Sequence, residues 1–516
     1  MFRAVTSRDT FRYALTVCVL AGGALQSATA QPAPTQATPT RAAPPQTAPA
    51  RAAANVDPET GVPETWPDPA ALEFGPVTFS EPEPERAVLS NGLVVYLLED
   101  PSLPLVEGAA FVKTGSVYDP EEKSSLAALT ADLMRSGGSA GRTADEIDAR
   151  LEALAASVEV SAADLYTAAS FSSLTENVAE VLGIFAGVLT QPEFAPGRIA
   201  LAKGRALEGI RRENDDPVTI AVREFYRRVA QGHPAGVVPT AETVEAVSRA
   251  DMVRFHARYF KPNETVLAVS GDFERGEMLR LLEQTLGGWP EGAVTYPELP
   301  PYNPDPTPRV YHAQKDLGQS IVLMGRPSVY AYGPDYAVMD VANAVLGGGG
   351  FSSRIFTEVR TKRGLAYSAG SQLEQGFAYP GTLLVYAFTR TDATGQVIEL
   401  LQAEMRKMRE RPVTEAEIEV QKSNILNGAV FRFTSPAAIV QRTARATEVL
   451  GLPEGYYDRY TQQVEGVTPA EVLRVARQEF RPEEMLVMVV GDAAQFDRPL
   501  SDFGAVEEIT LPLLTP

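Results

Sequence analysis

The strongest constraint in this sequence is internal. Val247–Asp272, VSRADMVRFHARYFKPNETVLAVSGD, aligns without a gap on Val467–Asp492, VTPAEVLRVARQEFRPEEMLVMVVGD, at a constant offset of 220 residues. Each copy opens on a hydroxyl residue followed three positions later by a carboxylate, Ser248 with Asp251 and Thr468 with Glu471. That is the capping box of a helix. Each copy then passes through Phe-x-Pro into an apolar strand ending in Gly-Asp. Tyr118-Asp-Pro-Glu121 and Tyr332-Gly-Pro-Asp335 repeat a shorter match at nearly the same offset. A chain that writes one architecture twice folds as two like halves. Its 516 residues are too many for one core at about 150 residues per domain.

Local patterns fill in each half. Ala87–Leu98 alternates about an Asn91-Gly92 turn and predicts a hairpin, with Leu105–Val117 as a further strand. Leucines at helical spacing predict a helix over Ser124–Arg135, and a capping box at Thr143 starts another, running to about Ala156. Val158–Ser173 reads as two short strands, Thr175–Leu189 and Pro196–Asn214 as helices. The expected fold class is α+β, with two homologous halves, each a mostly antiparallel sheet with helices packed on it. The halves span residues 84–295 and 308–516, and the Pro-rich segment 296–307 joins them.

The N-terminus carries Arg3, Arg8 and Arg12, an apolar run from Tyr13 to Leu25, then Ala28-Thr29-Ala30. This reads as a secretory signal peptide, residues 1–30, which places the protein in the periplasm and leaves no membrane anchor after cleavage. Cys18 lies inside that run and is the only cysteine, so the processed chain has neither disulfides nor thiolate metal ligands. Residues 31–83 form a Pro/Ala/Thr-rich linker. A formal charge of −20 disfavours nucleic acid and anionic membrane as partners.

The stretch Leu346–Tyr367, LGGGGFSSRIFTEVRTKRGLAY, carries the chemistry. Gly347, Gly348, Gly349 and Gly350 let the backbone move or be approached closely. Phe351, Ile355 and Val359 share a helical stripe, which Gly364 ends before a strand begins. Arg360 then lies near a helix C-terminus and Tyr367 at the start of the strand, where a cation and a phenol could converge on one oxygen. On chemistry alone, Arg360 also reads as a solvated helix-end charge and Tyr367 as a half-buried strand residue.

From about Pro84 onward the chain resembles the pitrilysin/insulinase-type zinc peptidases, the inverzincins, in whose C-terminal half an R-x6-Y pair reaches toward the scissile carbonyl. The resemblance implies that role for Arg360 and Tyr367. It also implies contact of Gly347–Gly350 with substrate or partner, although a glycine run serves equally as a simple hinge. The family carries H-x-x-E-H on its first long helix, with a Glu further on as third zinc ligand. Here, in SSLAALTADLM, Ala128 and Asp132 stand at the two His positions and Ala131 at the general base; Glu208 sits where the third ligand is expected. His233, His256 and His312 are not paired at helical spacing and read as ordinary structural or surface residues.

In two-chain members of that family one subunit holds the zinc and the other the Arg–Tyr pair. The resemblance therefore implies a subunit without a metal of its own. Its partner would be a homologous chain with H-x-x-E-H and zinc, and its substrate a peptide or unfolded chain added as a strand to a sheet edge. A non-proteolytic envelope scaffold or peptide-binding protein of the same fold is the alternative. An active homodimer would need a ligand set that the sequence lacks.

Overall fold

Gly92, at φ +82, makes the tight turn that the Asn91-Gly92 pair demands. In the computed structural model, which describes residues 82–302, 309–429, 431 and 433–511, that turn joins β1 (Glu85–Val88) to β2 (Val94–Glu99) as an antiparallel hairpin. The signal peptide and almost all of the 31–83 linker lie outside the described residues, as do residues 303–307 of the 296–307 segment. The first half continues through β3 (Leu105–Val112), α1 (Leu126–Ser136), α2 (Ala144–Ala153), β4 (Ser157–Ala162) and β5 (Thr167–Leu174). Five helices follow, α3 (Val178–Thr190), α4 (Pro196–Arg212), α5 (Pro217–Val229), α6 (Ala241–Ala246) and α7 (Arg249–Tyr259), and then β6 (Thr265–Gly271) and α8 (Arg275–Leu286).

The second half repeats the order. It comprises β7 (Arg309–Gln314), β8 (Gln319–Pro327), α9 (Tyr336–Asn343), β9 (Ala366–Leu373), β10 (Thr382–Arg390), α10 (Thr394–Glu410), α11 (Glu415–Ala429), α12 (Pro436–Ala444), α13 (Tyr456–Gly466), α14 (Pro469–Glu479), β11 (Leu486–Gly491) and β12 (Ala505–Glu508). Each half builds one six-stranded sheet, in the orders β1-β2-β6-β3-β5-β4 and β12-β7-β11-β8-β10-β9. The first sheet holds one parallel pair, β2 with β6, and the second holds two, β7 with β11 and β7 with β12; the other pairs are antiparallel. The repeated segment becomes α7 with β6 in one half and α14 with β11 in the other. Both capping boxes form as expected, at Ser248 and at Thr468.

Each sheet packs one face against helices of its own half. The other face is covered by a helix from the opposite half. Val218, Ile220, Val222, Phe225, Tyr226 and Val229 of α5 pack on Tyr311, Leu323, Leu384 and Met488 of the second sheet. In return, Val440 and Ala444 of α12 pack on Tyr96, Phe111, Val266 and Ala268 of the first. Gly325 on β8 admits this contact, since a Cβ there would meet the Phe225 ring at 2.6 Å. The polar side of α5 is buried as well. Arg223 donates to Glu224 and Asn214 and is ion-paired with Glu213, at 2.9 Å each, and Glu224 is also ion-paired with Arg227. The described residues accordingly fall into one compact unit. The sequence reading did not identify α5 or α12.

Candidate functional site

Helix α1, where relatives of this fold were expected to carry metal ligands, starts at the Asp119 carboxylate, which accepts the Ala127 N–H at 2.9 Å. Its register leaves Ala128 and Asp132 exposed and Ala131 in the core. Asp132 Oδ2 accepts from Arg205 Nη2 of α4 at 3.1 Å. Glu208, one turn further along α4, accepts from Arg212 Nε at 2.7 Å and lies 3.9 Å from Arg211. The two carboxylates are thus tied to different guanidinium groups rather than brought to one point. Among the described residues no three His, Cys, Asp or Glu converge. A zinc site takes three protein ligands, so the residues present here do not fit the metal.

Beside Ala128 a cleft of about 710 Å³ opens between the start of α1, the end of β4 and the loop after α5, with Asp119, Asp164, Arg227 and His233 in its wall. Burial pushes the Asp119 carboxyl up to about 7, although N–H groups at the start of α1 favour its charged form. His233 is buried, and its Nδ1 accepts the Ala235 N–H at 3.1 Å. His256 faces the Leu189 carbonyl at 2.9 Å, and burial pushes its imidazole down to about 4. His312, fully inside the second sheet, lies between Glu508 at 2.7 Å and the Gly491 carbonyl at 3.0 Å. Each imidazole is built into packing, as its sequence context suggested.

The second half presents a different arrangement. Helix α9 runs on into a turn of i→i+5 bonding over Ala344–Gly348, closed by Gly349 N–H to Ala344 carbonyl at 2.9 Å. The glycine run is not a loose loop. A Cβ at Gly347 would stand 2.3 Å from the Ser371 nitrogen, one at Gly348 2.6 Å from the Asn343 amide and one at Gly349 2.1 Å from the Gln421 carboxamide. Gly347 is required because neighbouring backbone closes on it, whereas Gly348 and Gly349 face the side-chain amides of Asn343 and Gln421. Gly347 is buried; Gly350, at φ +61, faces open space.

Past Gly350 the helical stripe keeps Ile355 and Val359 in the core but not Phe351, which is 77% exposed. The positive φ at Gly350 swings the chain before the helix begins, so Phe351 falls out of phase with the stripe expected from spacing. A second i→i+5 turn, Phe356–Thr361, places Arg360 at its end, and Tyr367 is the second residue of β9. The two side chains are in contact. The Arg360 guanidinium carbon lies 4.7 Å from the ring centres of both Tyr367 and Phe356 and 5.4 Å from that of Phe351.

The other bases of this segment are occupied. Arg354 is paired with Glu417 at 2.7 Å, and its hydrogen bonds hold that carboxyl down at about 2. Lys362 and Arg363 both bond Glu358 and hold it likewise at about 2. Arg360 has no carboxylate or hydrogen-bond partner among the described residues, and neither has the Tyr367 hydroxyl, on a side chain 56% exposed. A permanently charged fork and a phenol, held by aromatic contact and not by acceptors, are donors ready for an oxygen from outside the chain. The phenylalanines of this cage escaped the sequence reading, although Phe356 and Arg360 stand at i and i+4 on one helix face.

Residues 94–237 match the family model for insulinase, peptidase family M16, and residues 246–425 match the one described as the peptidase M16 inactive domain. The chain belongs to peptidase family M16. Among M16 relatives, an uncharacterized zinc protease of Mycobacterium leprae is 26% identical over 397 residues, covering 76% of this chain and 88% of that protein. A peptidase M16 inactive domain from Pseudomonas fluorescens superimposes with a TM-score of 0.72 at 23% identity, over 79% of this chain and 98% of the other. The periplasmic protease PqqL of Escherichia coli shares the M16 fold at a TM-score of 0.67 and 15% identity, over 82% of this chain and 47% of PqqL.

Proposed function

We propose that this chain is the metal-free subunit of a two-chain zinc peptidase that degrades peptides or unfolded chains in the periplasm. It supplies Arg360 and Tyr367 to the scissile carbonyl, while a homologous chain with an intact H-x-x-E-H motif holds the zinc. One observation carries the reading. An unpaired Arg–Tyr donor pair stands in the same chain as zinc-motif positions whose two carboxylates, Asp132 and Glu208, are paired with Arg205 and Arg212.

Negative charge develops on the carbonyl oxygen as an amide is attacked, and a preorganised donor aimed there contributes about 3–4 kcal/mol. Arg360 brings its charge at any relevant pH, and Tyr367 donates while neutral. Strands β4 and β9 are sheet edges, to which an extended substrate adds by main-chain hydrogen bonds with little demand on its sequence. The periplasmic assignment rests on the N-terminal signal pattern, and the likeness to PqqL supports it. No helix among the described residues is long and apolar enough to cross a membrane.

The test is recovery of the tagged chain from its native envelope, followed by identification of what accompanies it. A stoichiometric M16 chain bearing H-x-x-E-H, with peptidase activity that requires both chains, is the expected result. A homodimer, or a complex without a peptidase, would replace this reading with the scaffold alternative.

A further inference from the structure

Hydrolysis of an amide leaves a charge where the carbonyl was. Water adds its oxygen to the carbonyl carbon, the C–N bond breaks, both of the water's protons end on the leaving amine, which departs as an ammonium, and the acyl fragment departs as a carboxylate. Donors that hold the carbonyl oxygen therefore face an anion with two oxygens once the bond is cut. A guanidinium fork and a phenol are a better match for that anion than for a neutral amide.

We propose that Arg360, Tyr367 and Phe351 form a receptor for the C-terminal carboxylate of a peptide whose last side chain is aromatic or large and apolar. This deepens the peptidase reading by naming the product class that the same residues retain. Arg360 is the base of its segment left without an acid, since Arg354, Lys362 and Arg363 are all paired. In a chain of formal charge −20 it offers a local anion site rather than part of a basic field. Beside it the Phe351 ring stands 77% exposed, and no atom outside the adjacent residues lies within 4 Å of where a Cβ would project from Gly350. An aromatic or branched side chain laid on Phe351 would bury apolar area on both partners, with its carboxylate beside the guanidinium.

The full chain alone suffices for the test, by isothermal titration calorimetry with three probes: acetyl-Ala-Ala-Phe as free acid, the same peptide as its amide, and acetyl-Ala-Ala-Gly as free acid. The Phe acid should bind about tenfold or more tighter than its amide, and tighter than the Gly acid. Phe351→Ala, at an exposed position, should bring the Phe acid down to the level of the Gly acid. Arg360→Gln should erase the preference of acid over amide. Equal affinity of the wild-type chain for acid and amide, or no binding of the acid, overturns the proposal without recourse to any variant. A wild-type preference for the acid that Arg360→Gln erases, with turnover of the two-chain complex left intact by the same substitution, would sink the catalytic reading and keep this one.

Discussion

Arg205 and Asp132 face each other from α4 and α1 with Nη2 and Oδ2 3.1 Å apart, so a position expected to hold a metal-binding imidazole holds half of an ion pair. Both side chains are about half exposed, and such pairs contribute little to stability. Arg205→Ala should lower stability by less than about 1 kcal/mol. Its larger effect is on any attempt to rebuild the motif. With Ala128→His, Ala131→Glu and Asp132→His in place, Arg205 is left as an unpaired cation next to the intended metal. Adding Arg205→Ala to that triple variant should raise zinc affinity at least about tenfold, by competition against a chromophoric chelator. Equal affinity with and without Arg205 would show that the guanidinium is not what closes the position.

The exchanged helices make a second prediction. Phe225 is fully buried against the sheet of the opposite half. Phe225→Ala should cost about 3–5 kcal/mol, and calorimetry should show both halves melting together at a lower temperature. A first half expressed alone would lose α12 and leave Tyr96, Phe111 and Val266 uncovered, and it should aggregate. Two separate melting transitions in the intact chain would contradict this coupling.

The response to pH divides between two groups of opposite sign. Asp119 is raised from 3.8 to about 7, so the folded state binds the extra proton and stability falls as pH climbs from about 4 to 7. His256 is lowered from 6.5 to about 4, so the unfolded state binds the extra proton and stability rises with pH over about 4 to 6.5. The two slopes oppose each other across most of that window. Asp119→Asn should expose the rising slope, and His256→Gln the falling one, in melting temperatures taken between pH 4.5 and about 7. If neither variant changes the slope, burial is not governing these groups.

Position within the glycine run should decide the effect of a substitution there. Gly347→Ala and Gly349→Ala force a Cβ onto Ser371 and Gln421, and each should destabilise the fold by about 1–3 kcal/mol. Tyr367→Phe and Arg360→Ala remove exposed or acceptor-free groups and should change unfolding by less than about 1 kcal/mol. Chemical denaturation separates the two classes. A large loss of stability in Tyr367→Phe would mean that its hydroxyl serves the fold.

Much of the architecture was legible because its signals are local. The hairpin at Asn91-Gly92, the capping boxes at Thr143, Ser248 and Thr468, and the alternation in β4 and β5 all depend on residues within a few positions of one another. Arg360 and Tyr367 were visible for the same reason, with six residues and one turn between them. Helix α5 was passed over although Val218, Val222, Phe225 and Val229 stand at helical spacing, with Arg223, Glu224 and Arg227 off that stripe. Its cover comes from the opposite half, which no window of sequence contains. Arg205 with Asp132 was hidden likewise, as was the tightness of the glycine turn, which is set by Ser371 and Gln421 from β9 and α11. Spacing placed Phe351 in the core; one positive φ at Gly350 turned it out to solvent.

The central claim is that this chain steadies a polarised amide oxygen for a zinc held elsewhere. It is tested most directly by turnover of a quenched fluorescent peptide, with this chain alone and with its H-x-x-E-H companion, each preparation assayed for zinc. The account predicts no turnover and no stoichiometric zinc in the lone chain, and full activity in the pair. It also predicts a fall of about a hundredfold or more in kcat for Arg360→Ala or Tyr367→Phe, with assembly intact. A lone chain that takes up one equivalent of zinc and cleaves the peptide unaided would contradict it.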